Sequence, residues 1–431
     1  MSSWELKKLS EVADIIGGAT PKSDVDEYFN GDIPWITPKD LSGYKNRYIS
    51  KGERNITKLG LENSSAKLLP KGAVLFTSRA PIGYVAIADN EVSTNQGFKS
   101  LVLKDGNIPE FFYYLLKHNI PLFEARATGS TFKEVSGQVV KNTELLIPSI
   151  DIQKKIVDLV SPLDEKIELN TQINQTLEQI AQTIFKSWFI DFDPVHAKAN
   201  ALANGQTAKQ ATQAAMAVIS GKNTQELHRL QTANPEQYQQ LWEIAEAFPS
   251  GFDEEGVPRG WEERYLKDVC NIVYGKGLPK NKLTEKGFYV FGANGVIGFY
   301  DSYTYEKPQV LIGCRGTVGQ VTLSYPYSFV TNNSLVIEYE NSCVSMYYLD
   351  KYLSDINLKE ISSGSVQPQI TIQNMSKVKI LLPNIKILNF YSEKVKEIYD
   401  KRLHHFYENQ SLSKVRDLLL PKLLSGEIGN E

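Results

Sequence analysis

Residues 129–148 read GSTFKEVSGQVVKNTELLIP and residues 364–383 read GSVQPQITIQNMSKVKILLP, and the two align without a gap at an offset of 364 − 129 = 235. Self-similarity at a fixed spacing marks one structural unit made twice. The likeness continues outward from this stretch. Trp4, Leu9, Val12 and Ile15 match Trp261, Leu266, Val269 and Ile272, and Pro21-Lys22 meets Pro279-Lys280. VLFTSRAPIG at 74–83 faces VLIGCRGTVG at 310–319, pairing Arg79 with Arg315 and Gly83 with Gly319. Thr94-Asn95-Gln96 sits where Thr331-Asn332-Asn333 does. The offset drifts only through loops, which is the pattern of a duplicated domain.

Each copy is built from short apolar runs broken by Gly and Pro, such as GDIPWITP and EVSTNQGFKSLVL, which predict short strands and turns. PEFFYYLLKH at about 109–118 predicts a helix, and SCVSMYYLDKYLS at 342–354 predicts its counterpart. The unit is therefore α+β with a mostly β body. After Pro148 the period changes. Ile156, Val160, Leu163, Ile167, Asn170, Asn174, Leu177, Ala181, Ile184 and Trp188 recur in steps of three and four, the spacing of a helix that packs lengthwise on another helix. Pro162 is expected to kink this helix or to mark its start. The second copy carries the same register through Tyr391, Val395, Ile398, Arg402, His405, Asn409, Leu412, Arg416, Leu419 and Leu423. Asn174 and Asn409 fall at equivalent positions of the two seams, where a polar residue fixes register. Each run of about 33 residues spans on the order of 50 Å at ~1.5 Å per residue. Placed antiparallel, two such helices would hold the β-rich units apart about an approximate two-fold axis.

The expected organisation is a β-rich domain over 1–148, a long helix over 149–192, a partly helical insertion and linker over 193–259, a second β-rich domain over 260–383 and a second long helix with its tail over 384–426. The insertion has no counterpart in the repeat.

At 431 residues, 42% hydrophobic and 23% charged, the chain has the composition of a soluble multidomain protein. MSSWELKKLS carries no apolar signal core and FFYYLL at 111–116 falls far short of a membrane span, so a cytoplasmic protein is expected. Cys270, Cys314 and Cys343 lie far apart, which supports neither a disulfide framework nor a thiolate metal site and predicts small buried apolar residues. The net charge of −3 hides local bases. Residues 44–58 hold Lys45, Arg47, Lys51, Arg54 and Lys58 against Glu53, and residues 276–286 hold Lys276, Lys280, Lys282 and Lys286 against Glu285. Such loops suit phosphate contact; solvated surface loops are the alternative.

Catalytic motifs are missing. Lys276 in YGKGLP lacks the upstream glycine and the following hydroxyl of a phosphate loop, and no HExxH pattern occurs. Asp193-Pro194-Val195-His196 and Asn234-Pro235-Glu236-Gln237 lack the second proline and the aromatic with which DNA amino-methyltransferases hold an extruded base. The acidic pair Asp191 and Asp193 and the run Asp253-Glu254-Glu255 sit at a helix exit and in a linker.

With duplicated β-rich units, two long helices in matching places and no catalytic motif, the chain resembles the specificity subunit of Type I restriction-modification systems. IPWITPKDLS at 33–42, SRAPIGYVAI at 78–87, STNQGFKSL at 93–101, FGANGVIGFY at 291–300, RGTVGQV at 315–321 and the helix exit FKSWFIDFDPV carry the resemblance, which spans nearly everything outside 193–258. The resemblance implies two β-rich target recognition domains separated by two long antiparallel coiled-coil helices. Each domain would read one half of a split, asymmetric site on double-stranded DNA. The helices would act as a ruler and as the dock for two modification subunits. S-adenosylmethionine, ATP and magnesium would reside on the modification and restriction subunits, with no cofactor, metal or catalytic residue in this chain.

Candidate DNA-contacting residues follow from the basic loops and from places where the copies differ. They are Lys22, Lys45, Arg47, Lys51, Arg79, Thr131 and Lys133 in the first copy, and Lys276, Lys280, Lys282, Arg315, Gln367 and Gln369 in the second. The shared pairs Arg79/Arg315 and Asn95/Asn332 serve equally to hold the domain's turns. Gln367 and Gln369 can contact adenine through their amides or stabilise a turn. Two readings of other classes compete: a non-catalytic coiled-coil adapter whose β-rich ends bind other ligands, and a stand-alone nuclease with a hidden acidic site.

Overall fold

The computed structural model describes residues 4–129, 133–364 and 367–428. The chain divides into two compact units, Met1–Ile173 with His405–Glu431, and Asn174–His404. The division falls inside the two long helices, Ile150–Phe189 and Ile385–Leu424, so each β-rich domain carries a portion of both.

In the first unit, strand Trp4–Lys8 pairs antiparallel with Glu144–Pro148 and closes the domain at its ends. A five-stranded sheet runs in the order 13–17, 99–103, 74–78, 82–88, 48–49. Every residue of Val74–Ser78 is buried, as expected of a central strand covered on both faces. A smaller sheet orders 54–56, 29–36, 93–94, its last pair parallel. The second unit repeats the plan. Glu262–Tyr265 pairs with Lys379–Leu382, a four-stranded sheet runs 271–274, 334–338, 310–313, 321–323, and a small sheet orders 295–300, 288–292, 329–330, again ending in a parallel pair. A glycine is required at the same crossing in both. A Cβ on Gly18 would lie 2.0 Å from the Asn95 carbonyl oxygen, and one on Gly275 would lie 2.3 Å from that of Thr331.

The two expected short helices are present, Pro109–His118 as the sequence predicts and Met346–Asp355, which starts later than expected because Ser345 caps it through the Tyr348 N–H. Each joins its domain to a long helix through a tyrosine and an aspartate. In the first unit the Tyr114 hydroxyl on the short helix donates to Asp164 of the long helix at 2.7 Å, and Arg416 donates to the other Asp164 oxygen at 2.6 Å. In the second unit the partners are exchanged: the Tyr399 hydroxyl on the long helix donates to Asp350 on the short one at 2.6 Å. Asp164 and Tyr399 are themselves equivalent in the repeat, 399 − 164 = 235. Burial first, and the adjacent carboxylate second, push both tyrosine hydroxyls above their ordinary range, which keeps them protonated and donating.

The long helices pack on each other antiparallel within each unit. Asn170, fully buried, donates to Asn409 at 2.8 Å and to Glu408 at 2.7 Å in the first. In the second, Asn174 donates to the Arg402 carbonyl at 3.1 Å and Glu178 bridges Arg402 and Lys351. Pro162 neither starts the first helix nor ends it; the helix begins at Ile150 and continues through it.

At the helix exit in the second unit, Phe185, Trp188 and Phe189 pack with Tyr348 and Tyr391, the Phe189–Tyr348 ring centroids 5.0 Å apart in an edge-on pair. Leu420, Leu423 and Leu424 occupy the matching repeat positions and pack in the first unit's core. The insertion is more helical than expected, with Asp193–Ala203, Ala208–Ser220, Thr224–Ala233 and Pro235–Ala247. Buried Lys198 donates to the carbonyls of Ala245, Glu246 and Phe248 and so caps the last of these helices.

Replacing Asp164 by alanine strips the acceptor from buried Tyr114 and from partly buried Arg416. The expected loss is about 3–5 kcal/mol, read as a lower midpoint of thermal unfolding, with Asp164→Asn less affected. An unchanged midpoint for Asp164→Ala would contradict the joint.

Candidate nucleic-acid interface

In each unit an open cleft beside the central strand's arginine gathers charged and amide side chains. In the second unit a cleft of about 700 Å³ is lined by Arg315, Lys359, Ser362, Gln367 and Gln369 among others, so three of the sequence-derived candidates stand together. In the first unit a cleft of about 470 Å³ is lined by Lys39, Arg79, Asn95 and Glu134, with Thr37 and Pro38 beside them. Arg79 and Arg315 each follow the buried central strand of their sheet, which fixes where the guanidinium leaves the domain.

The opposite wall has the same construction in both. Thr128 and Glu134 exchange backbone hydrogen bonds of 3.0 and 2.9 Å, and Ser363 and Gln369 exchange two of 2.9 Å. The next residue ties this segment to the central strand: Val135 N–H donates to the Ser78 carbonyl at 2.9 Å, and Ile370 N–H to that of Cys314 at 3.2 Å. Helices capped by Ser136 and Thr371 follow. The Asn95 side-chain oxygen accepts from the Gly97 N–H at 2.9 Å, so this shared asparagine holds its turn.

The remaining candidates lie as follows. Lys22, Lys45, Lys51 and Lys133 are exposed in the first unit, and Lys276, Lys280 and Lys282 are exposed in the second, none of them lining the clefts just described. Lys276 is held by its backbone, donating to Val330 at 2.9 Å and accepting from Asn332 at 3.1 Å. Thr131 lies outside the described residues.

Arg47 is corrected. Its side chain is 3% exposed, its guanidinium donates to Ser161 at 2.8 Å and to Tyr114 at 3.3 Å, and it pairs with Glu165 and Glu168. Burial opposes the charge, but Tyr114, Glu168 and Glu165 outweigh it and hold the guanidinium above its ordinary value. A cation so enclosed is part of the joint between domain and helix and is not presented to a phosphate. Sequence reading missed this because a basic loop and a buried arginine look alike until the helix covers it.

Lys39, Lys359 and Glu134 line the clefts without having been named as candidates. The signal for Glu134 was present in the quoted repeat, where it faces Gln369.

Among the described residues, no group of three or more His, Cys, Asp or Glu side chains is arranged to hold a metal ion, and no helix is long and apolar enough to cross a membrane. Cys270 and Cys314 are buried as expected, with burial pushing the Cys270 thiol up to about 11, whereas Cys343 is exposed, contrary to expectation.

A family model described as the Type I restriction modification DNA specificity domain matches residues 1–179 and 258–414. The Type I restriction enzyme HindI specificity subunit of Haemophilus influenzae is 36% identical, over 94% of this chain and 100% of its own. The MjaIX specificity subunit of Methanocaldococcus jannaschii is 31% identical, over 99% and 93%. The crystal structure of a Type I restriction-modification S subunit from M. genitalium has the same fold, with a TM-score of 0.56 at 19% identity, covering 97% of this chain and 96% of that one.

Arg47→Ala is expected to lower stability by about 2–3 kcal/mol, the scale of stranding buried hydrogen-bond partners, while leaving the salt dependence of DNA binding unchanged. A shallower salt dependence at undiminished stability would return Arg47 to the contact set.

Proposed function

The chain belongs to the Type I restriction modification DNA specificity family, and from that membership we propose that it selects the DNA target of a restriction-modification complex by reading a split site, one half with each β-rich domain. The observation that carries this reading is the pair of clefts at equivalent places of a duplicated frame, each headed by an arginine, Arg79 or Arg315, with different side chains opposite. A common frame with differing contents suits two readers of unlike sequences.

In this reading Lys22, Lys45, Lys51 and Lys133 in one domain, and Lys276, Lys280 and Lys282 in the other, contact phosphates and set orientation together with the shared Arg79 and Arg315, while Gln367 and Gln369 reach base edges. Thr131 belongs to the same candidate set. An amide such as that of Gln369 can both donate to and accept from adenine in the major groove. The long helices set the distance between half-sites and dock two modification subunits, which bring S-adenosylmethionine; restriction subunits bring ATP and magnesium. The chain itself performs no methylation or cleavage, and it works in the cytoplasm, where the DNA is.

Assembled with modification subunits, the protein is expected to bind one split duplex with an affinity that falls about 10³–10⁵-fold between about 50 and 200 mM salt, if about six to ten phosphates are neutralised. A complex indifferent to salt would contradict DNA reading. Replacing residues 260–383 by the matching domain of a relative should change the recognised bases in one half of the site. A change in both halves would break the assignment of one domain to one half.

A further inference from the structure

The two clefts differ most sharply in one chemical respect. Glu134 in the first and Gln369 in the second occupy the same point of the repeat, 369 − 134 = 235, and are held by the same pair of backbone hydrogen bonds. The glutamate oxygens lie 3.6 Å from Arg79 and 3.6 Å from Lys99. Among the described residues, the lining of the second cleft holds Arg315 and Lys359 as its charges and no carboxylate. Equal placement with a carboxylate on one side and an amide on the other isolates the chemistry of the terminal group.

We propose that Glu134 is a specificity-determining residue of the first domain, an acceptor-only group that admits a base offering an amino hydrogen and penalises one offering only acceptors. This rests on the DNA-reading function given above. A carboxylate accepts and never donates, whereas an amide does both. Free of DNA, Glu134 is balanced by Arg79 and Lys99. A phosphate that captures Arg79 leaves the carboxylate facing a polyanion with part of its compensation withdrawn. The loss is made good where the facing base is cytosine or adenine, whose exocyclic amino groups donate in the major groove, and not where it is guanine or thymine, whose edges there offer acceptors. Repulsion of the wrong partner gives specificity that attraction alone does not. The amide of Gln369 faces no such restriction.

The test is selection from a randomised duplex pool by the assembled complex containing the wild-type chain, E134Q or Q369E. The wild type is expected to prefer adenine or cytosine at a position of the first half-site. E134Q should relax that preference by about tenfold or more, the scale of one good base contact, leave the second half-site unaltered and bind non-cognate duplex more tightly. Q369E should impose a new adenine or cytosine preference in the second half-site. Base preferences identical to wild type in E134Q and Q369E, with binding retained, would overturn the role of Glu134. Failure of the wild-type complex to select any split site would instead overturn the DNA-reading function.

Discussion

A tyrosine hydroxyl donating to a buried carboxylate ties each β-rich domain to a long helix and so fixes the frame on which that domain's cleft is built. The bond works because burial raises the tyrosine and keeps its proton in place, and because each carboxylate has a cation beside it. Asp164 has Arg416 at 2.6 Å and Asp350 has Lys351 at 2.9 Å. An isolated buried carboxylate would be expensive; one with a hydroxyl and a cation is satisfied. Arg47 adds a further tie in the first unit, joining the loop at 44–48 to the same helix. The tyrosine lies on the short helix in one unit and on the long helix in the other, so the two copies share the bond and not the residues that make it.

On that common frame the contents diverge. The central strands, the glycine crossings at Gly18 and Gly275 and the backbone pairs at Glu134 and Gln369 coincide, and they fix where Arg79 and Arg315 emerge. Beside those arginines stand Glu134 and Lys39 in one unit and Gln367, Gln369 and Lys359 in the other. Rigid backbone with variable tips is how a fold changes what it reads without changing how it stands.

Much of the architecture was legible in the sequence because a repeat reports on itself: the matching helices, the two long seams and the β-rich bodies all follow from period and offset. Capping and burial were less legible. Pro162 was expected to kink the first long helix or to mark its start, and the start lies instead at Ile150, twelve residues earlier. The insertion was expected to be only partly helical, and Thr207 and Asn223 cap further helices within it. Arg47 looked like a surface base because charge alone does not say which side of a loop meets a helix. Tyr399 and Asp164 fell outside the expected seams because each faces its own domain's short helix.

The central claim is that two domains of one chain contact two separate stretches of DNA, each through its own arginine-headed cleft. Phosphate-ethylation interference on the assembled complex tests it most directly. The account predicts two separated clusters of essential phosphates, with Arg79→Ala weakening one cluster and Arg315→Ala weakening the other. A single continuous cluster, or both clusters fading together in either variant, would contradict it.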